Sequence, residues 1–303
     1  MNRLLIVGAS GFIGQRLLKK AIDQFEITCL LRNEETYEKL RRIIGADFQY
    51  RIGTLEDTAL CNVITKNTDI IINLAAVISG DELTQMGSNV DGFHNLAYAA
   101  SKNRVKKYYY ASSSSLYGAG KDIQVETDNV NLTNFYSVTK RIEELIAEYY
   151  NRVSATQFVG FRFFNIYGSN NIHSWDVTSK YFCNAIRNLP LIVSNGGASR
   201  DLIYVEDVVD IILELMDEDI ERSINTINIG TGQKTKMSDL AEMIVEITNS
   251  RSEIVIQEEN IPILTSCADI SLLRKHCSLP FSDLRSTLSN IYKRNQEVWK
   301  KDA

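Results

Sequence analysis

The chain has 303 residues and a net charge of −5, with 44% hydrophobic and 23% charged residues; that suits one large α/β domain or a nucleotide domain with a smaller companion. The acidic balance argues against a nucleic-acid partner, which would need a basic face; no apolar run is long enough to predict a membrane span. No signal-peptide layout opens the chain, and its five cysteines and three histidines (His94, His173, His276) are scattered, so reduced thiols, no metal site and a cytoplasmic location are expected.

In chain order, the apolar run Leu4 to Val7 ends at Gly8 and reads as a buried parallel strand. Helical spacing follows from Phe12 to Ile22. Further strands are expected at Ile27 to Leu31, Ile70 to Ala76, Tyr108 to Ser112 and Phe158 to Phe164, with helices near 34–44, 56–66, 85–102 and 136–151 between them. Strands alternating with helices predict βαβ units and a Rossmann-type, doubly wound parallel sheet. Beyond 165 the rhythm loosens, with helices near 176–188, 205–217, 238–249 and 283–299 and strands near 191–193 and 253–256. The expected organisation is a dinucleotide-binding domain over 1–165 and a smaller, mainly substrate-binding domain over 166–303, with some chain returning to the sheet.

Gly8, Gly11 and Gly14 stand between the first strand and the first helix. The first glycine permits a tight turn, the second lets the backbone approach a pyrophosphate, and the third lets helix pack on strand. The helix start at Phe12 and Ile13 then offers free N–H groups and the positive end of its dipole. An acidic residue closing the second strand would bind the ribose of NAD, but that strand ends in Arg32 and Asn33, with no carboxylate before Glu34. Arg32 suits a 2′-phosphate, so NADP(H) is favoured over NAD(H).

Tyr136 and Lys140 are four residues apart on a predicted helix and share a face. An ammonium beside a phenol stabilises the phenolate, which lets a tyrosine exchange protons nearer neutral pH. The run Ser112-Ser113-Ser114-Ser115 follows the fourth strand, at the edge where open α/β sheets bind ligands.

With the glycine turn, these motifs make the chain resemble the extended short-chain dehydrogenase/reductases, in the nucleotide-sugar epimerase, dehydratase and 4-ketoreductase group. The resemblance also rests on Asn73-Leu74-Ala75-Ala76, Asn89-Val90-Asp91-Gly92, Arg162 to Gly168, Arg200 to Asp207 and Asn228 to Gly232. It implies that Tyr136 is the catalytic acid/base, Lys140 its activator and Ser113 a hydrogen-bond partner of the reacting sugar oxygen. It further implies cofactor contacts at Leu55, Leu74, Ala75 and Ala76 as well as at Tyr136 and Lys140. Contacts to a nucleotide-diphosphate sugar are implied at Ser113, Ser114, Asn165 and Arg200, with 169–195 and 260–268 shaping the sugar pocket. Helices near 93–102 and 136–150 would, by the same resemblance, pair in a homodimer.

Two departures narrow the chemistry. Sugar-nucleotide 4,6-dehydratases usually carry Asp-Glu after the catalytic hydroxyl, where this chain has Ser114 and Ser115, so that reaction is not expected. Thr54 stands where the group usually has an adenine-contacting Asp, which leaves backbone groups, Glu56 or Asp57 for the base. A 4-ketoreductase using NADPH, a 4-epimerase with tightly held NAD, and a non-catalytic dinucleotide sensor remain open, and the missing acid after the second strand favours the first.

Overall fold

The structure is a computed structural model that describes residues 1–118, 121–171, 174, 176–194, 198–257 and 265–302. The chain runs β1 (Arg3–Val7), α1 (Phe12–Ala21), β2 (Glu26–Leu31), α2 (Glu34–Ile44), β3 (Gln49–Ile52), α3 (Thr58–Thr65) and β4 (Ile70–Asn73). It continues through α4 (Glu82–Gln85), a π-helical turn (Met86–Asp91), α5 (Gly92–Lys102), β5 (Lys107–Ser113), a 3-10 turn (Ser114–Tyr117), α6 (Phe135–Val153) and β6 (Gln157–Phe163). Then follow β7 (Asn165–Tyr167), α7 (Val177–Ile186), β8 (Leu191–Ser194), β9 (Ser199–Tyr204), α8 (Val205–Asp217), β10 (Thr226–Ile229) and β11 (Lys234–Lys236). The last elements are α9 (Met237–Thr248), β12 (Ile254–Gln257), β13 (Thr265–Ser266), α10 (Leu273–His276) and α11 (Leu284–Asp302).

The central sheet has seven strands in the order β10-β6-β5-β4-β1-β2-β3. The pairings β1–β2, β1–β4, β2–β3 and β4–β5 are parallel, so the expected doubly wound sheet is present. Strand order reverses direction at β1 and β4, which places their C-terminal ends at the switch point where open α/β sheets bind ligands. The inner strands β1 and β4 are largely apolar because both faces are covered: Leu5, Ile6, Ile71 and Ile72 are fully buried. Burial of each such side chain contributes about 1.5–3 kcal/mol.

Two compact units divide the chain. One comprises Met1–Leu116, Leu132–Arg162 and Leu215–Ile227; the other comprises Tyr117–Asn131, Phe163–Glu214 and Asn228–Ala303. A single cut near 165 thus falls close to one junction, and two exchanges lie outside it. Leu215–Ile227 belongs with the first unit because β5 holds it: the Tyr109 hydroxyl donates to Leu215 O at 2.9 Å and Lys107 Nζ to Met216 O at 2.9 Å. Tyr117–Asn131 belongs with the second because Gln124 bonds Cys267, its Oε1 accepting from Cys267 N at 2.7 Å and its own N donating to Cys267 O at 2.8 Å.

The second unit is built on a sheet in the order β11-β9-β13, with β7 also paired to β9, and on the separate pair β12–β8. Its core gathers Phe182, Leu191, Leu240, Leu288 and Trp299. The helix expected over 85–102 is instead three pieces. A π-helical turn interrupts it, and Gly92 sits where a Cβ would come within 2.9 Å of Leu55 Cβ. Among the described residues no helix is long and apolar enough to cross a membrane. His173 and residues 260–264 of the expected sugar-pocket segment lie outside the described residues.

Candidate active site

The turn from β1 into α1 is a backbone cradle. Gly8 has φ +83°, and a Cβ there would sit 2.8 Å from Ala75 N; a Cβ on Gly14 would sit 2.2 Å from Gly8 O. Only glycine meets both demands. Gly11 is the N-cap of α1 and supplies no side chain to the first-turn N–H groups, which leaves those donors for an anion. A groove of about 790 Å³ opens here, lined by Gly8, Gly11, Arg32, Leu55, Leu74, Ala75 and Ala76 among others. Its glycine floor and donor-rich helix start fit a dinucleotide pyrophosphate. Phe12 and Ile13 begin α1 and carry first-turn N–H groups; the Phe12 ring lies 4.7 Å from the Arg16 guanidinium. Gly14 contributes by close packing.

At the far end of the groove, Arg32 and Asn33 close β2. The Asn33 carboxamide oxygen caps α2, accepting from Thr36 N and Thr36 Oγ1 at 2.9 Å each. Glu34, the first carboxylate after the strand, accepts from the Tyr50 hydroxyl at 2.9 Å. Thr54, Leu55 and Glu56 line the same end.

Residues the sequence reading did not single out for a role hold the groove wall. Asn73 Oδ1 accepts from Ala75 N at 3.2 Å while its amide donates to the Tyr108 hydroxyl at 3.1 Å. Asn89, in the π-helical turn, brackets Val77 by accepting from its N–H at 2.8 Å and donating to its carbonyl at 2.9 Å. The same amide donates to Thr139 Oγ1 at 3.1 Å, so the groove wall is tied to α6 one residue before Lys140.

A capping box starts α6: Asn134 Oδ1 accepts from Ser137 N at 2.8 Å, and Ser137 Oγ faces Asn134 N at 3.4 Å. That fixes Tyr136 and Lys140 in the first two turns. Lys140 is fully buried, and its Nζ lies 5.8 Å from the Tyr136 ring centroid. It donates to Ala111 O at 2.7 Å and to Glu143 Oε2 at 3.0 Å. A lysine has three N–H donors, and these two bonds take two of them. The Ala111 bond ties α6 to β5 two residues before Ser113. Ser113 Oγ accepts from Ser115 N at 3.1 Å, and Ser114 opens the 3-10 turn.

Glu143 and Glu144 complete the buried charges. Burial pushes the Glu143 carboxyl up to about 7, against the pull of Lys140. Burial acts to discharge Lys140, yet Glu143 and then Tyr136 outweigh it and hold the lysine above its ordinary value. The two shifts favour opposite charge states for one pair. The lysine's charged form is the firmer, because two carboxyls act on it, Glu143 and Glu144, while Glu143 Oε1 has no hydrogen-bond partner among the described residues. Helical spacing from Lys140 offered a signal for Glu143, but its burial could not be read from the sequence.

Asn165 and Arg200 belong to the second unit. Asn165, on β7, donates to Asp201 O at 3.3 Å. Arg200, on β9, is half-buried, and burial lowers its pKa from the ordinary arginine value. The neighbouring Asp201 is fully buried and organises the 231–232 turn, with Oδ1 accepting from Thr231 N at 2.8 Å and Oδ2 from Gly232 N at 2.9 Å. Ala268 N donates to the same oxygen at 3.1 Å.

The fold and the glycine turn define a Rossmann-type dinucleotide-binding α/β protein. Residues 4–230 match the NAD dependent epimerase/dehydratase family, and the chain belongs to that family. Protein CapI of Staphylococcus aureus is 30% identical over 235 residues, covering 71% of this chain and 69% of the relative. A probable UDP-glucuronate 4-epimerase of Rhizobium meliloti is 30% identical over 240 residues, covering 70% and 67%. Among solved structures, a UDP-glucuronic acid 4-epimerase of Bacillus cereus, in complex with UDP-glucuronic acid and NAD, has the same fold. Its TM-score is 0.86 at 19% identity, and the match covers 98% of this chain and 99% of that one.

Proposed function

We propose that this chain is a NAD-dependent 4-epimerase of a nucleotide-diphosphate sugar. The carrying observation is the fully buried Lys140, held 5.8 Å from the Tyr136 ring and anchored to the end of β5. The relative from Rhizobium meliloti, named as a probable UDP-glucuronate 4-epimerase, supports a UDP-sugar as substrate.

Tyr136 removes the proton of the sugar's C4 hydroxyl and later returns it. Lys140 favours negative charge on the phenol oxygen through its ammonium, which burial shields from water. Ser113 donates a hydrogen bond to the same sugar oxygen, and Ser114 neighbours it on the substrate side. A nicotinamide dinucleotide held in this groove would supply reversible hydride acceptance at the sugar's C4, which an inversion there requires. Gly8, Gly11 and the α1 N-terminus hold the pyrophosphate, Leu55, Leu74, Ala75 and Ala76 line its groove, and Asn165 and Arg200 bind the substrate's diphosphate. Arg200 suits that role because its planar fork matches phosphate oxygens. The faces of α5 and α6 that leave Tyr98, Leu145 and Tyr149 exposed are proposed to pair in a homodimer.

The test is incubation of purified protein with a panel of UDP-hexoses, UDP-hexuronic acids and N-acetylated UDP-hexoses, with product stereochemistry read by proton NMR. Catalytic interconversion of C4 epimers without net change in reduced cofactor is expected. Absence of turnover across the panel, in protein that binds NAD, overturns the reading and leaves a 4-ketoreductase or a dinucleotide sensor.

One observation favours a second reading, a 4-ketoreductase fed by NADPH. The end of β2 presents Arg32 to the groove, while Asn33 is committed to its cap and Glu34 to Tyr50. Stoichiometric NADPH oxidation with a nucleotide-linked 4-keto-6-deoxyhexose, weakened by Arg32→Ala, would establish it.

A further inference from the structure

Lys140 lies where water cannot solvate its ammonium, and a charge so placed needs a counter-charge. Its side chain has 0% exposure and that of Glu143 has 3%. Glu143 Oε2 is 3.0 Å from Nζ, one helical turn on along α6. The other anion nearby, Glu144, is spoken for: its oxygens take Arg162 Nε at 2.8 Å, Arg162 NH2 at 2.9 Å and the Ser112 hydroxyl at 2.7 Å. Glu143 Oε1 has no hydrogen-bond partner among the described residues. A buried carboxylate left half-satisfied is costly, and its one polar contact is the lysine.

We propose that Glu143 is a positioning residue, the counter-charge that keeps the buried Lys140 an ammonium and holds it between Tyr136 and β5. This deepens the function proposed above, and rests on it only in taking Lys140 to serve the reaction.

The groups facing the pair are few. From α6 these are Tyr136 and Glu144, and from β5 Tyr108 and Tyr110. On β6, Arg162 is held by Glu144. From α4, the π-helical turn and α5, the titratable Glu82, Asp91, His94, Tyr98 and Lys102 are all exposed. None of them replaces Glu143 at hydrogen-bond distance from Nζ. Burial drives the carboxyl up to about 7, so the counter-charge is present above neutral pH and is lost as pH falls below it.

The test follows the Lys140 ammonium directly by 15Nζ NMR of lysine-labelled full-length protein, with the signal assigned by its loss in Lys140→Met. No substrate is present, so failure of the assigned reaction and failure of this proposal are distinguishable. In wild type the signal is expected to titrate above the ordinary lysine range. In Glu143→Gln the titration is expected about one pH unit lower or more, and Glu143→Asp should retain most of the wild-type value. An unmoved titration in folded Glu143→Gln overturns the proposal, since a merely structural role would lower stability alone. Should Glu143→Gln fail to fold, wild type decides: the Lys140 15Nζ shift should respond to the titration of the carboxyl 3.0 Å away, and a curve flat from pH 3 to 9 overturns the proposal.

Discussion

Glu143 and Glu144 are neighbours on α6, both buried, and their carboxyls are driven in opposite directions. Burial raises both. At Glu143 it prevails over a single lysine; at Glu144 the Arg162 guanidinium, Ser112 and Arg141 reverse it and hold the carboxyl below its ordinary value.

The two therefore act on stability with opposite pH dependence. Glu144 contributes stability that is present above the unfolded value of 4.5 and lost as pH falls through its lower folded value. Glu143 contributes stability that is present below 4.5 and lost as pH rises toward 7, on the order of 3 kcal/mol across that window. Urea unfolding from pH 2 to 8 checks both. Glu144→Gln should lose about 3–5 kcal/mol at pH 7, because it breaks the buried Arg162–Glu144 ion pair, and less as pH falls. The stability of wild type relative to Glu143→Gln should decline between pH 4.5 and 7.

Asn89→Ala removes the bracket on Val77 and the bond to Thr139. Those polar groups lose their partners, at a cost of about 1–3 kcal/mol. Because the bracket holds the groove wall, isothermal titration should show weaker binding of the dinucleotide, while secondary structure by circular dichroism stays that of wild type.

Gly14→Ala places a methyl group 2.2 Å from Gly8 O. Helix and strand must separate, which costs about 1–3 kcal/mol and displaces the donors from the pyrophosphate. Thermal unfolding should show the loss, and added NAD should raise the melting temperature less than in wild type.

Tyr136→Phe removes the proton carrier and keeps the ring. Turnover should fall by about 10²–10⁴-fold with dinucleotide affinity unchanged. Full activity in this variant would remove Tyr136 from the chemistry.

Much of this site is readable from residue type and spacing. Gly8 and Gly14 occupy positions where backbone sterics admit nothing else, and Tyr136 and Lys140 share a face because α6 has helical spacing. Elements defined by their partners were not readable. β3 has mostly exposed residues, Gln49–Ile52, at the sheet edge, and β13 is two residues long. The break at Met86–Asp91 also escaped, since the pattern there is helical and only the close approach of Gly92 to Leu55 exposes the irregularity. The pairing of Glu143 with Lys140 is a matter of packing: the same Glu-Glu sequence on a solvated face would leave both carboxyls ordinary.

The central claim is that C4 of a sugar nucleotide is oxidised and reduced again within one turnover. Substrate carrying deuterium at C4 tests this most directly, with the label followed by NMR and mass spectrometry in both epimers. The account predicts that deuterium stays at C4 in the product epimer, because the hydride removed is the one returned. Loss of the label to solvent, or an unlabelled C4 formed with consumption of added NADPH, would contradict it.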